Sequence, residues 1–345
     1  MRLIEKVWRS NDPVFQATRL VLTPFAETYR VVTAARGWMY DHGVLPITGS
    51  AIPVVSVGNL SVGGTGKTPF AAWLAAELAK RGARPAVVLR GYGGDEPLVH
   101  AHLNPHIPVI IEKRRVNGIA DASQLGATVA ILDDAFQHRA AERTIDIALL
   151  SAEQWEPKMR LLPAGPWREP LSAVRRAAIA VITRKTAASD KVSRLRDAII
   201  REAPGIPVAV VHFGITELRR AARVGAEEAL PLSAMKGRPV IAVGGIANSN
   251  AFFQQLRDAG GDVVPIGFPD HHRYTSADVS QILAAGGAPD ALVVCTLKDA
   301  VKLDSIWPAT APPLWYVLQR LEIESGGDTL EKLVVQLTPK IPADE

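Results

Sequence analysis

The sequence predicts an α/β protein: a parallel sheet with helices on both faces, followed by a second, smaller α/β unit. Three observations predict it. Short β-branched runs alternate with helical stretches along most of the chain. The runs are continuously apolar rather than alternating, as in strands covered on both faces. The length, 345 residues, is enough for two domains of ordinary size.

In chain order, the first 40 residues carry six basic and three acidic groups among many large apolar ones. The stretch 14–40, with Arg19, Arg30 and Arg36 interspersed, suits helices broken at Pro24. Such a segment packs on a core, or lies in a membrane interface with its arginines meeting anionic lipid. Strands are expected at 53–58, 85–89, 109–112, 128–133, 145–150 and 178–183, with helices at 68–81 and 191–203. A second set of strands at 208–213, 239–243, 263–266, 291–296 and 314–318 has helices at 250–259, 276–285 and 329–337. The expected division is an amphipathic segment 1–40, a nucleotide-binding core 41–206, a linker 207–236 and a second domain 237–345, its last helix returning to the core.

Composition narrows the function classes. Thirty-nine Lys and Arg against 35 Asp and Glu give a charge of +4, too mild an excess to argue for nucleic acid. A single cysteine, Cys295, excludes an internal disulfide and a multi-thiolate zinc site, and reads as a small buried hydrophobe of a reducing compartment. No apolar run reaches the roughly 18 residues of a membrane span, and the start lacks a signal-peptide pattern.

The sharpest motif follows the first strand: NLSVGGTGKTPF, then a helical stretch. Gly63, Gly64 and Gly66, with Thr65 between, let backbone N–H groups converge on phosphate oxygens at a helix N-terminus. Lys67 reaches the β/γ-phosphates and the Thr68 hydroxyl serves magnesium. This is a P-loop with Ser61 where the strict motif has glycine, and it points to a P-loop kinase-like core, ATP and Mg2+. Asp133 and Asp134 end an apolar strand, where paired carboxylates need a cation, and Gln137 and His138 follow on the same loop. Asp95 fits a base for a hydroxyl by residue type. His271 and His272, adjacent and without a neighbouring thiol, are a weak metal pair. Arg90, Arg168 and Arg273 are phosphate-binding candidates, Lys298-Asp299 stays unassigned, and Trp155, Trp167 and Phe136 read as core packing before an acyl surface.

The motifs SVGNLSVGGTGKTP, LRGYGG, GDEP, ILDDAFQHR, LLPAGPWREP, GIANSNAFFQQLRDAG, GFPDHHRYT and CTLKDAVKL occur in an order that resembles the tetraacyldisaccharide 4'-kinase family, across about residues 25–303. The resemblance implies a peripheral enzyme at the cytoplasmic face of the inner membrane, with a second α/β domain joined through a two-stranded linker. The implied reaction transfers the γ-phosphate of ATP to the 4'-hydroxyl of a tetraacylated glucosamine disaccharide 1-phosphate in lipid A biosynthesis. It further implies that Lys67 and Thr68 serve phosphates and magnesium, that Asp133 and Asp134 form the acidic pair, with Asp133 catalytic and Asp134 on the metal, and that Asp95 is the base with His271 its partner. His138, Arg168 and Glu169 fall at active-site positions. The implied partners are the disaccharide lipid and an anionic membrane surface, with no nucleic acid and no obligatory protein partner.

Three departures stand out. GDEP follows RGYGG directly, without the stretch the family carries between them. Ala135 replaces a glycine after the acidic pair, and Ser249 stands where proline is common. Two rival classes fit parts of the pattern: a nucleotide-dependent switch or metallochaperone, which lacks a thiol motif, and a non-catalytic ATP-binding regulator, which leaves GDEP and PWREP without a purpose.

Overall fold

The computed structural model describes residues 3–91, 94–221, 228–286 and 290–338. The expected LRGYGG element therefore lies partly outside the described residues, at Tyr92 and Gly93, as does part of the expected linker.

The chain divides into two compact units. The first takes in the described residues up to 91, then 100–211 and 323–338; the second takes in 94–99 and the described residues of 212–322. These limits differ from the division drawn on sequence in that the residues around Asp95 group with the second unit; the last helix groups with the first, the return expected for it. The segment expected as a linker carries strands, β7 (Val208–Arg220) and β8 (Ala229–Pro231), paired antiparallel.

The first unit opens with α1 (Leu3–Arg9) and α2 (Pro13–Asp41), the latter started by Asp12, whose side chain accepts from the Val14 N–H, with Pro13 at the first helical position. The expected break at Pro24 does not occur: α2 runs through it for 29 residues. The ring removes the N–H that would reach the Leu20 carbonyl, and the helix carries that loss on a face where Leu20 is 75% exposed.

The strands β1 (Val54–Asn59), β2 (Pro85–Leu89), β3 (Val109–Ile111), β4 (Val129–Asp133), β5 (Ile145–Ser151) and β6 (Ile179–Arg184) pair in parallel in the order β6-β5-β1-β4-β2-β3. β1, β2 and β4 are buried at every position, the condition of strands covered on both faces. The helices α3 (Lys67–Lys80), α4 (Glu96–Leu103), α5 (Arg115–Gln124), α6 (Ser189–Glu202) and α10 (Gly327–Leu337) accompany them. Ile119 and Ala122 of α5 pack on Ala86, Val88, Ala130 and Leu132, whereas Leu195 and Ile199 of α6 pack on Ala180 and Ile182.

In the second unit β9 (Pro239–Gly244), β10 (Asp262–Gly267), β11 (Leu292–Thr296) and β12 (Leu314–Ser325) are parallel in the order β10-β9-β11-β12. Alternation separates its two faces. Val240, Ala242 and Val294 meet Phe252, Phe253 and Leu256 of α7 (Ser249–Asp258). Ile241, Val243, Val293 and Cys295 meet Val279 and Ile282 of α8 (Ser276–Ala284) and Ala300 and Leu303 of α9 (Leu297–Leu303). Cys295 is thus the buried hydrophobe its strand position predicts.

Candidate active site

The phosphate loop forms as its residues require. β1 ends at Asn59, α3 begins at Lys67, and Gly63 and Gly66 between them hold φ of 116° and 83°, the left-handed region that glycine enters without strain. A side chain at Gly63 would also meet Gln154 Nε2 at 2.9 Å. Two neighbours fix the buried Thr65: Asn59 Nδ2 donates to its hydroxyl at 2.9 Å, and Thr183 Oγ1 donates to its carbonyl at 2.9 Å. Arg168 N–H donates to the Leu60 carbonyl at 2.7 Å, so the PWREP segment braces the entry to the loop.

The acidic pair divides its partners. Thr68 Oγ1 donates to Asp133 Oδ2 at 3.0 Å, while Lys67 Nζ stands 3.6 Å from Asp134 Oδ1. The sequence expectation put Thr68 and Asp134 on the metal; in the structure the Thr68 hydroxyl hydrogen-bonds Asp133. Asp134 instead accepts from Arg168, at 2.8 and 3.4 Å. Burial pushes the Asp134 carboxyl up, but the Lys67 and Arg168 charges outweigh it and hold it down at about 2. Asp133 is buried, accepts from His100 Nε2 at 3.0 Å, and among the described residues keeps Oδ1 without a hydrogen-bond partner. Arg115 Nη2 donates to the Asp133 carbonyl at 3.1 Å. Ala135 fits the position where the family has glycine, because the positive φ of this turn, 52°, falls one residue earlier, at Asp134.

His138, Arg168 and Glu169 separate in role. Burial, with the charge of Arg115, holds the His138 imidazole below its usual value. Glu169 is clamped by Arg176, at 2.6 and 2.7 Å, and Arg176 also lies over the Phe136 ring. Phe136, Trp155 and Trp167 lie in the core of this unit.

In the second unit Asp95 and His271 come together although 176 positions separate them: His271 Nδ1 donates to Asp95 Oδ1 at 3.1 Å. Asp95 is fully buried, and its Oδ2 has no hydrogen-bond partner among the described residues. Lys302 and Lys298 of α9 stand 3.6 and 3.7 Å from that oxygen. Burial raises the Asp95 carboxyl, yet the His271 hydrogen bond and the lysine charges dominate and hold it at about 2. The same hydrogen bond raises His271 above its ordinary value, against burial and the charge of Lys298. His272 has a different partner, Asp278 Oδ2 at 3.1 Å, and stacks on Phe268, so the two histidines do not converge on one ion. Among the described residues the only non-glycines with positive φ are Asp134 and His271, one in each constellation. Backbone strain of this kind persists where the surroundings over-determine a residue, as at functional sites.

Sequence reasoning missed Asn59, His100, Arg115, Arg176, Thr183 and Lys302; His100, Arg115, Thr183 and Lys302 act through partners distant in the chain, Asn59 and Arg176 through Thr65 and Glu169 nearby. Only Lys298 and Lys302 carried a signal, an i, i+4 pair directly after an apolar strand.

A family model described as tetraacyldisaccharide-1-P 4'-kinase matches residues 18–338. A tetraacyldisaccharide 4'-kinase of Anaeromyxobacter dehalogenans (strain 2CP-1 / ATCC BAA-258) is 40% identical, covering 88% of this chain and 86% of the relative. One from Geobacter sulfurreducens is 36% identical, with 86% and 90% covered. The crystal structure of LpxK from Aquifex aeolicus in complex with ATP has a TM-score of 0.72 and 30% identity, covering 93% of this chain and 100% of that one. With a P-loop on a parallel sheet and a match over nearly its whole length, the chain belongs to the tetraacyldisaccharide-1-P 4'-kinase family and is a kinase.

Proposed function

We propose that this kinase transfers the γ-phosphate of ATP to the 4'-hydroxyl of a tetraacylated glucosamine disaccharide 1-phosphate, with Asp95 as the base. The observation that carries the assignment is Asp95 Oδ2, a buried carboxylate oxygen with no hydrogen-bond partner among the described residues. The hydroxyl oxygen forms a bond to the γ-phosphorus, the bond from that phosphorus to the β,γ-bridging oxygen breaks, and the hydroxyl proton passes to Asp95. A carboxylate held near 2 is a weak base. It suffices because the transition state is loose, and the attacking oxygen becomes strongly acidic only as its bond to phosphorus forms. His271 holds Asp95 Oδ1 and so turns Oδ2 toward the incoming hydroxyl.

On the nucleotide side, the backbone of 63–66 and Lys67 bind the phosphates. The residues fit magnesium: Thr68 and Asp133 offer hard oxygen donors, and Asp133 Oδ1 is buried without a hydrogen-bond partner among the described residues. Bound there with the phosphates, the ion neutralises charge on their oxygens. Asp134, occupied by Lys67 and Arg168, orients those two cations instead.

The N-terminal segment supports peripheral attachment to an anionic inner-membrane surface. No helix among the described residues is long and apolar enough to cross a membrane. Val14, Val21, Phe25 and Val32 form one exposed stripe of α2, and Leu20, Val31 and Trp38 another. The arginines contribute less than their spacing suggests. Arg19 is buried and donates to the Val7 and Trp8 carbonyls, Arg30 pairs with Glu27, and Arg36 donates to the Gln137 carbonyl.

The test is product identity: γ-labelled ATP, magnesium and the disaccharide lipid in detergent. Label on the 4'-position of the lipid is the expected result. Label released only as inorganic phosphate would replace the kinase reading by that of a hydrolytic switch.

A further inference from the structure

The proposed chemistry uses Asp95 and His271 and leaves the α9 lysines without a role. Their surroundings are densely charged, and two of the carboxylates, Asp95 and Asp299, are fully buried. Lys298 Nζ lies 3.2 Å from His271 Nε2, 3.4 Å from Asp270 Oδ1 and 3.7 Å from Asp95 Oδ2. Lys302 Nζ lies 3.6 Å from both Asp95 Oδ2 and Asp299 Oδ1, and sits over the Tyr274 ring. Asp299 is itself fully occupied by Thr296 Oγ1, the Tyr274 hydroxyl and the Gly245 N–H. It anchors α9 so that both ammonium groups face the Asp95–His271 pair.

Lys298 and His271 sit close enough to hydrogen-bond, and an ammonium has only hydrogens to give. His271 Nε2 must therefore accept, which leaves the ring's one hydrogen on Nδ1, the atom that donates to Asp95. Lys298 thus selects the tautomer that the Asp95 contact requires, and it occupies the one imidazole lone pair that would compete for the substrate's proton.

Charge counting leads the same way. The carboxylates of Asp95, Asp270 and Asp299 face the ammonium groups of Lys298 and Lys302, with His271 neutral. Asp270 also faces the ring, with its Oδ2 3.8 Å from His271 Nε2. One negative charge is left uncompensated, and acceptance of one proton neutralises the cluster.

Resting on the reading of Asp95 as the base, we infer that Lys298 is a positioning residue of the phosphoryl-transfer reaction: it fixes the His271 tautomer and directs the hydroxyl proton to Asp95 rather than to the imidazole. Lys302 supplies the second charge on Asp95 Oδ2 without touching the ring. The directions of the pKa shifts agree, since the Lys298 charge lowers both His271 and Asp95. Removing it lets His271 protonate at higher pH, and a protonated ring places its Nε2 hydrogen where Lys298 had stood.

The experiment is the pH profile of kcat in the full-length enzyme with saturating ATP and lipid. Lys298→Met and Lys298→Gln should lower kcat at pH 7 by roughly ten- to a hundredfold, leave the KM for ATP unchanged, and move the acidic limb up by on the order of one pH unit. Lys298→Arg should restore the limb to its wild-type position. Lys302→Met should lower kcat without exchanging the tautomer, so the ring carbon and nitrogen shifts of His271 by NMR stay as in wild type, whereas Lys298→Met changes them. Lys298 variants whose limb and His271 shifts match wild type would overturn the inference. The underlying reading fails separately: Asp95→Asn with wild-type kcat removes the base itself, whatever Lys298 does.

Discussion

The phosphate loop and the Asp95 centre are built on opposite plans. In the loop, the residues that would meet phosphate lie within 63–68, and their conformation follows from the strand before and the helix after. The Asp95 centre gathers its groups from three distant stretches, at 95, 270–274 and 296–302, each useless without the others. The loop owes its geometry to backbone, the other centre to buried charge. A backbone-built site loses a contact when a side chain is cut; a charge-built site also changes its proton affinities.

The sharpest test of this contrast is Asp95→Asn. The amide cannot take up the proton, so kcat should fall by roughly 10²–10⁴ with ATP affinity unchanged, read by steady-state kinetics and nucleotide titration. A loss of ATP affinity equal to the loss in kcat would blur the two regions into one. Next in size, Lys67→Ala and Thr68→Ala should each cost on the order of a hundredfold or more at saturating ATP, because each removes a preorganised contact to the phosphates or their ion. Wild-type turnover in either variant would remove the loop from the chemistry.

Smaller and more discriminating is the acidic pair. Asp133→Asn should raise the magnesium concentration for half-maximal rate by about ten- to a hundredfold, and Asp134→Asn by less, since Thr68 bonds Asp133 whereas Asp134 faces Lys67 and Arg168. The reverse ranking would return the ion to Asp134. For pH, His271 must be neutral to play its part, and its pKa is raised, so kcat should climb with pH through a value above 6.5 and flatten beyond it. An acidic limb near 2–4 instead would report Asp95 alone. The smallest effect on turnover in detergent is expected from Val21→Glu with Phe25→Glu, which should nonetheless release the protein from anionic vesicles in a sedimentation assay. Retention by those vesicles would leave the exposed stripes of α2 without a membrane role.

The same contrast explains what the sequence made legible. The P-loop is contiguous, and glycine, lysine and threonine at fixed spacing have few other uses after a strand, so residues 63–68 could be named from type and order alone. The strands were legible because continuous apolar runs suit a sheet covered on both faces. Which carboxylate faces Thr68 was not, because it depends on the left-handed turn at Asp134, where Asp133 meets Thr68 and Asp134 meets Lys67. Pro24 misled for a related reason: its cost depends on whether the freed carbonyl can reach water, and exposure of Leu20 is a property of the fold. Asp95 and His271 entered through the resemblance, not through periodicity or spacing. Lys298 had no reading until a histidine far from it in the chain was seen to need a donor.

Cys295 has a consequence for how this kinase can be observed. It is the sole thiol of the chain, lies fully buried in β11, and burial holds its pKa well above the ordinary thiol range. At neutral pH it offers almost no thiolate and no access, so a maleimide probe passes it by. The natural protein is therefore already a silent background for site-specific labelling. A cysteine introduced at Leu20 or Trp38 would be the one reactive position, and an environment-sensitive dye there would report contact of α2 with lipid in real time, beside turnover in the same cuvette.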